Sequence, residues 1–206
     1  DEILDIIQRF ATSAAICEKA GFEGVQLHGA HGYLISEFLS PLTNKRQDQW
    51  GGSIENRTRF LLEIYKAVRA ATSDDFIISV KLNSADFQKG GITEQEVISV
   101  FKAIDQAGID LIEISGGSYE APAMAGAKSK QIKQSTIARE AYFLDFAENI
   151  RKEVNCKLMV TGGFRTVKGM IDALESGACD FIGLARPLAV ETDLTNRLLA
   201  GHDVRY

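Results

Sequence analysis

The sequence predicts an α/β fold of the (β/α)8 barrel type, and three observations support this prediction. Apolar strand-like runs alternate with helical patterns along the 206 residues, which indicates parallel pairing of the strands. The runs are almost wholly apolar, as expected for strands covered by helices. Polar and glycine-rich clusters follow several different strands, which is typical of a barrel, whose site collects residues from many strand ends.

The helical segments are identified by the spacing of apolar residues and by their caps. Apolar residues from Ile3 to Cys17 recur at helical spacing and predict a first helix. Ser53 is placed to cap the second helix, and an acidic first turn, TEQE, opens the third. The later helical segments are Ile54–Ala71, Thr93–Ala107, Arg139–Val154, Val167–Ser176 and Leu194–Ala200.

Short apolar runs between the helices predict the strands. These runs are Val25–Leu27, Phe76–Leu82, Leu111–Ser115, Lys157–Thr161 and Phe181–Leu184. Three of them follow the same pattern, in which a glycine ends the preceding helix and an acidic residue stands before the strand: AGFE, AGID and GACD. A doubly wound sheet fits this alternation too, but no G-x-G-x-x-G follows a strand, so the barrel is favoured.

The chain shows five strand runs, whereas a complete barrel has eight strands in about 250 residues. We therefore expect residues 1–206 to form a single partial barrel domain, strands four to eight, with strands one to three missing. Such a piece exposes two unpaired sheet edges and aggregates easily. The prediction is that these residues belong to a longer polypeptide, or that another segment completes the sheet, and that the isolated piece is inactive.

Composition excludes several classes of protein. The net charge of −5 and the pI near 5.3 disfavour general nucleic-acid binding. No apolar run approaches the ~20 residues that span a bilayer, and the acidic start lacks the layout of a signal peptide, so we expect a cytoplasmic location. The three cysteines are widely separated and favour free, buried thiols over a disulfide.

Two clusters near the end of the chain predict a phosphate site. Gly162 and Gly163 follow one strand, and Arg186 follows the next, in GLARP. Barrels often bind phosphate with the loops after strands seven and eight, where backbone N–H groups and a helix start face the anion, and arginine grips phosphate through two hydrogen bonds. The alternative is an ordinary glycine turn beside a surface cation. A phosphosugar isomerase or aldolase would use the same loops.

Two histidines three residues apart, in LHGAHGYL, mark a second cluster. A zinc site needs a third protein ligand, and neither Glu37 nor Asp48 has a recognisable ligand spacing; a purely structural role is a second alternative. The favoured interpretation is a pair of N–H donors, His28 and His31, that stabilise charge on one oxygen. Tyr33 is then a proton donor, since a phenol stays protonated at neutral pH, although its spacing alone favours a packed aromatic.

Two long motifs resemble those of one enzyme family. VQLHGAHGYLISEFLSP, followed by NKRQDQWGGSIENRTRFLLEI, strongly resembles the old yellow enzyme family of FMN-dependent NAD(P)H:flavin oxidoreductases and ene-reductases, and KLNSADF, EISGG, TGGFR and GLARP follow in the family's order. The resemblance implies a TIM barrel, a non-covalent FMN, and NADH or NADPH as the reductant. It implies hydride transfer from flavin N5 to a small-molecule electron acceptor: an activated alkene, a quinone or a similar compound.

The resemblance also implies roles for individual residues. His28 and His31 match the pair that binds the acceptor's activating oxygen, and Tyr33 matches the proton donor. Lys81 stands where many members have an arginine beside the pyrimidine edge of the flavin; the alternative is a strand-end lysine in solvent. The residues that match the FMN phosphate grip are Gly163, Ala185 and Arg186, with Gly162 beside them.

The rest of the chain is assigned structure rather than chemistry. The residues from Asp48 to Arg59 predict a turn and a helix cap, with arginines that bind loop carbonyls or Asp48, and Gly117 to Gln134 predicts a mobile loop over the site. A non-catalytic barrel fragment that serves as an interaction module is the competing function from another class. The sequence leaves a homo-oligomer open.

Overall fold

The computed structural model describes residues 2–86, 88–116, 141 and 143–202, so the predicted loop from Gly117 to Gln134 lies outside the described residues. The strands form one five-stranded parallel sheet. They are β1 (Gly24–Gly29), β2 (Ile77–Asn83), β3 (Leu111–Ser115), β4 (Lys157–Thr161) and β5 (Phe181–Gly183). The described helices are α1 (Glu2–Lys19), α2 (Leu34–Leu39), α3 (Ile54–Ala71), α4 (Glu94–Ala107), α5 (Leu144–Ile150), α6 (Val167–Glu175), α7 (Arg186–Val190) and α8 (Leu194–Leu199).

The strand order decides between the two predicted architectures. Neighbours in the sheet follow the order of the chain, β1-β2-β3-β4-β5, whereas a doubly wound sheet reverses its order at a switch point. A sheet that always advances in one direction through helical crossovers keeps its helices on one face and curls towards closure. The predicted partial (β/α)8 barrel is confirmed, and β1 and β5 form its two edges.

The sheet has one apolar face and one polar face. Val80 of β2 is paired in register with Leu27 of β1 and Ile112 of β3, and all three side chains are buried. Because side chains alternate along a strand, paired residues share a face, and this apolar face packs against the helices. The opposite face is the interior of the barrel. Near the carboxyl ends of the strands it carries His28, Lys81, Asn83, Glu113, Ser115 and Thr161.

The acidic residues before the strands accept hydrogen bonds from the neighbouring strands. The Asp110 carboxylate accepts from the Ile78 backbone N–H at 2.8 Å, and Asp180 accepts from the Leu158 N–H at 2.9 Å. Before β1 the link is a backbone bond, from the Ile77 N–H to the Glu23 carbonyl. The glycines of the repeated pattern adopt left-handed backbone conformations: Gly21, Gly108 and Gly177. The repeated sequence pattern therefore ends a helix with its glycine and links the next strand to its neighbour with its acidic residue.

Most predicted elements are confirmed, with differences at three places. The sequence pattern assigned no helix to α7, Arg186–Val190. The helix predicted for Arg139–Val154 spans only Leu144–Ile150; Ala141 has a φ of 62°, which is left-handed and excludes a helical start there. A short helix, Leu34–Leu39, occupies a segment to which the sequence pattern assigned no element. Its six residues are too short for helical periodicity to be recognised.

The predicted cap at Ser53 is confirmed, and the motif from Asp48 to Arg59 makes structural contacts. Ser53 accepts from the Asn56 N–H, and Thr93 forms a reciprocal capping box with Glu96. Arg57 is buried and donates to the carbonyls of Leu39 and Gly52 and to the Glu96 carboxylate. This guanidinium therefore ties α2, the following loop, α3 and α4 together.

The arginines of this motif bind loop carbonyls, which is one of the two kinds of partner predicted for them: Arg57 and Arg59 donate to the carbonyls of Gly52 and Gln49. Asp48 pairs with Arg46, in its own loop, and also accepts from the Trp50 N–H at 3.0 Å. The carboxylate shapes its own turn and does not anchor the helix.

The cysteines agree with the prediction of free thiols. Cys179 is buried, and Cys17 and Cys156 are half-buried, with no disulfide. Burial, with help from Asp105, raises the pKa of the Cys156 thiol to about 12, so this thiol is a poor nucleophile at neutral pH. Within the described part of the chain, every helix is too short or too polar to cross a membrane.

Candidate active site

The predicted site residues lie at one rim of the sheet. Because all five strands run parallel, their carboxyl ends share one edge. His28 stands at the end of β1, and Lys81 stands near the end of β2. Gly162 directly follows β4, and Arg186 follows shortly after β5. The histidine cluster and the phosphate cluster therefore face the same end of the barrel, which is the end where barrels carry their sites.

His28, His31 and Tyr33 form a cluster of rings. The ring of His28 lies 5.2 Å from that of His31 and 4.9 Å from that of Tyr33, between centroids. Tyr33 stands at the N-terminal boundary of α2 and is 44% exposed. The ring therefore stands at a helix start, as the alternative of a packed aromatic also expects, and is accessible from the rim. The three side chains open onto the rim, where a small molecule can reach them.

His31 is held in place from two sides. Its backbone adopts a left-handed φ of 63°, which is rare for a residue other than glycine and is often seen at functional sites. Its N–H donates to the Asn83 side-chain oxygen at 3.3 Å, and its ring Nε2 lies 2.7 Å from the Ser115 hydroxyl. Since Asn83 and Ser115 end the next two strands, the sheet itself orients this imidazole.

The surroundings of both imidazoles favour the neutral form. Burial lowers the pKa of His28, Lys81 lowers it further, and Glu113 partly offsets these effects. Burial also lowers the pKa of His31, with smaller contributions from Lys81 and His28 against Glu113. A neutral imidazole has one N–H donor and one acceptor nitrogen. The pair can therefore offer hydrogen bonds to one oxygen without carrying fixed charge.

Lys81 faces the barrel interior and not solvent, contrary to the alternative considered for it. Its ammonium lies 2.8 Å from the carboxylate of Glu113, which is paired with it in the register of β2 and β3. The side chain of Lys81 is only 21% exposed. A cation is thus fixed one strand away from His28, on the same face of the sheet.

The phosphate cluster lies after β4 and β5. Gly162 and Gly163 have φ values of 113° and 86°, in the left-handed region that favours glycine. Ala185 is the N-cap of α7 and Arg186 its first residue, and both are exposed. Successive left-handed glycines beside an exposed guanidinium provide N–H donors and positive charge, which are the groups that bind a phosphate.

The residues present fit FMN at both ends of a nucleotide site. The phosphate end has the glycine pair and Arg186; the other end has the Lys81 cation and the ring cluster. The buried Thr161 hydroxyl, at the end of β4 beside Gly162, has no hydrogen-bond partner among the described residues. An unpaired buried hydroxyl is uncommon in a folded protein, and a polar ligand at this rim would satisfy it.

Three residues without a role predicted from the sequence support this site. Glu113, Asn83 and Ser115 hold Lys81 and His31 in place. Glu113 carried a recognisable signal, because it is a lone charge inside the apolar run LIEIS. Asn83 and Ser115 stand in polar clusters at strand ends, but only the strand register brings them to His31.

Comparison with known proteins identifies the family. Residues 1–204 match the NADH:flavin oxidoreductase / NADH oxidase family. The chain is 40% identical to the NADH-dependent flavin oxidoreductase iliE of Hypocrea jecorina over 206 residues, which cover 99% of this chain and 51% of that protein. It is 38% identical to an NADPH dehydrogenase of a Geobacillus strain over 187 residues, 91% of this chain and 51% of that protein.

A solved structure gives the same result. The old yellow enzyme homologue from Zymomonas mobilis superposes with a TM-score of 0.80 at 29% identity, over 99% of this chain and 54% of that one. The chain thus spans about half the length of the curated relatives above. The matched family is one of FMN-dependent flavin oxidoreductases, and these two relatives are named for their use of NADH and NADPH. The chain belongs to the NADH:flavin oxidoreductase / NADH oxidase family, the old yellow enzyme family.

Proposed function

We propose that the protein is an NAD(P)H-dependent flavin oxidoreductase that reduces an activated alkene, a quinone or a similar acceptor at the rim described above. The observation that carries this proposal is the meeting of His28, His31 and Tyr33 on the rim that also holds the glycine pair and Arg186. Bound FMN would supply hydride transfer from the nicotinamide to the acceptor. The chain's own residues bind and orient the acceptor and supply its proton.

His28 and His31 bind the activating oxygen of the acceptor. Their lowered pKa values favour the neutral form of both rings, and a neutral ring keeps one N–H that can donate to a carbonyl, nitro or quinone oxygen. In His31 this donor is Nδ1–H, with Nε2 accepting from the Ser115 hydroxyl. As hydride arrives at the acceptor, negative charge develops on this oxygen. Fixed donors aimed at such an oxygen contribute roughly 3–4 kcal/mol each, and the Ser115 and Asn83 contacts of His31 provide the fixed geometry.

Tyr33 delivers the proton that completes reduction of an alkene. The phenol lies beside His28 and is exposed at the rim, so it reaches a molecule held by the imidazoles. Proton transfer from a positioned acid typically contributes ~10²–10⁴-fold to the rate. A quinone takes its protons on oxygen, which exchanges protons with water readily, and therefore depends less on Tyr33.

Gly162, Gly163, Ala185 and Arg186 would hold the phosphate of FMN, and Lys81 would lie at the pyrimidine edge of its ring system. The phosphate residues come from two adjacent strand ends, since β4 and β5 are neighbours. The cation of Lys81 favours negative charge at the pyrimidine edge. These assignments follow the family's motif position by position, and the left-handed glycines and the exposed guanidinium support them.

Closure of the barrel by further strands is part of this proposal. The relatives are about twice as long as this chain, and β1 and β5 are the edges of the sheet. Strands that pair with these edges would complete the flavin's surroundings. A cytoplasmic location and self-association stay predictions of the sequence.

The proposal is tested by separating the two half-reactions in the purified flavoprotein. The double variant His28→Ala/His31→Ala should lower the rate of reoxidation by an alkene or quinone by roughly 100-fold or more, and should lower flavin reduction by NADH or NADPH much less. The variant His202→Ala is the matched control, because this histidine is exposed and outside the site. Equal losses in both half-reactions would contradict the assigned role of the pair.

A further inference from the structure

Glu113 is a buried carboxylate on the barrel interior that the proposed chemistry does not use. It is 5% exposed and lies within the row that runs from His28 through Lys81. Its neighbours along β3, Ile112 and Ile114, are apolar and lie on the opposite face of the sheet, which the helices cover. A charge in such a position is costly to fold, so its presence at the site calls for a reason in the chemistry.

The carboxylate is compensated by Lys81. The distance of 2.8 Å between Lys81 Nζ and Glu113 Oε1 is that of a charge-assisted hydrogen bond. A lysine ammonium sits on a flexible stem of four carbons and moves freely unless it is held. A buried partner on the neighbouring strand fixes it, and the partner's negative charge cancels part of its positive charge for any other group nearby.

We propose that Glu113 is a positioning residue that restrains Lys81 at the pyrimidine edge of FMN and sets the midpoint potential of the bound flavin. This inference rests on the proposed function, because it takes Lys81 as the flavin's neighbour. Addition of electrons to the flavin brings negative charge to this edge. A lysine whose positive charge is not compensated by Glu113 favours that negative charge more strongly than a lysine paired with it. The ion pair therefore lowers the potential and makes the flavin a stronger donor to its acceptor.

Neutral substitutions at this position test the proposal in the purified flavoprotein. Glu113→Gln keeps the shape and removes the charge, and Glu113→Met fills the space with an unbranched apolar chain, so the test does not depend on one variant's folding. In each, the equilibrium between oxidised and reduced flavin should shift about tenfold towards the reduced form, or about 30 mV for a two-electron couple. The measurement is an anaerobic redox titration against a dye of known potential.

The control is Glu153→Gln, which breaks the exposed ion pair with Lys102 far from the rim and should leave the potential unchanged. A second comparison is made in a Lys81→Met background. There Glu113 has no ammonium to restrain or compensate, so Glu113→Gln should produce a much smaller shift. This result separates an action through Lys81 from a general effect on packing.

The outcomes distinguish this inference from the proposed function. A wild-type protein that binds no FMN, or that NADH and NADPH do not reduce, refutes the proposed function. If NADH or NADPH reduces the wild-type protein normally, but Glu113→Gln and Glu113→Met have the same midpoint potential as the wild type, only the role of Glu113 is refuted. An equal shift with and without Lys81 also overturns it, because Glu113 would then act independently of the lysine.

Discussion

At the scale of single residues, the site depends on imidazoles that are kept neutral and held still. His31 is oriented by Asn83 and Ser115, and its left-handed backbone places its ring 5.2 Å from that of His28. The residue types were recognisable in the sequence, because the HGAHGY cluster follows a strand. The contacts that orient them were not, because they come from strands about 50 and 80 residues away and depend on the register.

The protonation of the histidines predicts a dependence on pH. The pKa of each is lowered, first by burial and then by Lys81. The folded protein therefore binds fewer protons than the unfolded chain just below pH ~6.5. The stability that these groups contribute is complete above that pH and is lost as the pH falls below it.

Titration of the ring protons by NMR checks this sign. Both histidines should titrate below the ordinary midpoint of about 6.5, and Lys81→Met should move both midpoints upwards, because a neighbouring positive charge has been removed. A midpoint above the ordinary value in the wild-type protein would contradict the arrangement of charges described for the site.

Substitution of Tyr33 tests the proton donor. Tyr33→Phe should slow reoxidation by an alkene by roughly 100-fold or more, with a smaller effect on a quinone and little effect on flavin reduction by the nicotinamide. Rapid-mixing absorbance measurements separate these steps. Tyr65→Phe is the matched control: the Tyr65 hydroxyl donates to the Gly108 carbonyl at 2.7 Å in the core. This control should cost about 1 kcal/mol of stability and spare both steps.

At the scale of elements, buried polar contacts fix the loops that carry the site. Arg57 is 3% exposed and joins α2 and α3 to α4 through Leu39, Gly52 and Glu96. The sequence predicted a structural role for this motif, because a helix cap and glycines are recognisable locally. The contact with Glu96 was not predictable, since it lies 39 residues away along the chain.

Replacement of Arg57 should therefore destabilise the fold. Arg57→Met leaves two carbonyls and the Glu96 carboxylate without their partner. We expect a loss of about 2–4 kcal/mol in the free energy of unfolding, less than for a fully buried pair because Glu96 is partly exposed. Urea denaturation measures this loss. Arg59→Met, which removes a contact with the Gln49 carbonyl, should cost under about 1 kcal/mol. Equal losses of stability in the two variants would contradict the role of Arg57 in joining the helices.

The packing of β4 on β5 makes a second prediction at this scale. A Cβ atom on Gly183 would overlap the side chain of Thr161, its partner in the register. Gly183→Ala should therefore cost about 1–3 kcal/mol of stability through overpacking. Combining it with Thr161→Gly removes the overlap and should restore part of the loss, relative to Thr161→Gly alone. Thermal unfolding of the three variants measures the coupling, and strictly additive losses would refute it.

At the scale of the whole molecule, the five strands make one continuous part of a barrel. The fold class was predictable because alternation, apolar strands and helix stops are local patterns that repeat along the chain. The short helix α2 and the true start of α5 were not, because one is too brief to show a period and the other depends on the backbone of Ala141. The division of the sheet into a helix-covered face and a polar interior also required the register.

The open edges of the sheet lead to a prediction for the isolated 206 residues. Because β1 and β5 have open outer edges in the sheet of the described residues, this piece alone should aggregate easily and bind FMN poorly. Gel filtration followed by an absorbance spectrum tests this. A monomeric piece that stays yellow after the column would show that the described strands hold the flavin without further pairing.

The central claim is that the ring cluster and the phosphate cluster share one FMN site at the carboxyl end of the barrel. The most direct measurement is an anaerobic absorbance spectrum of the purified protein with its barrel closed, taken before and after addition of NADH and NADPH, for the wild type and for Arg186→Ala. We predict a flavin band that bleaches with at least one nicotinamide, and weaker FMN binding in the variant. A colourless protein that takes up no FMN, or a flavin that neither nicotinamide reduces, would contradict this account.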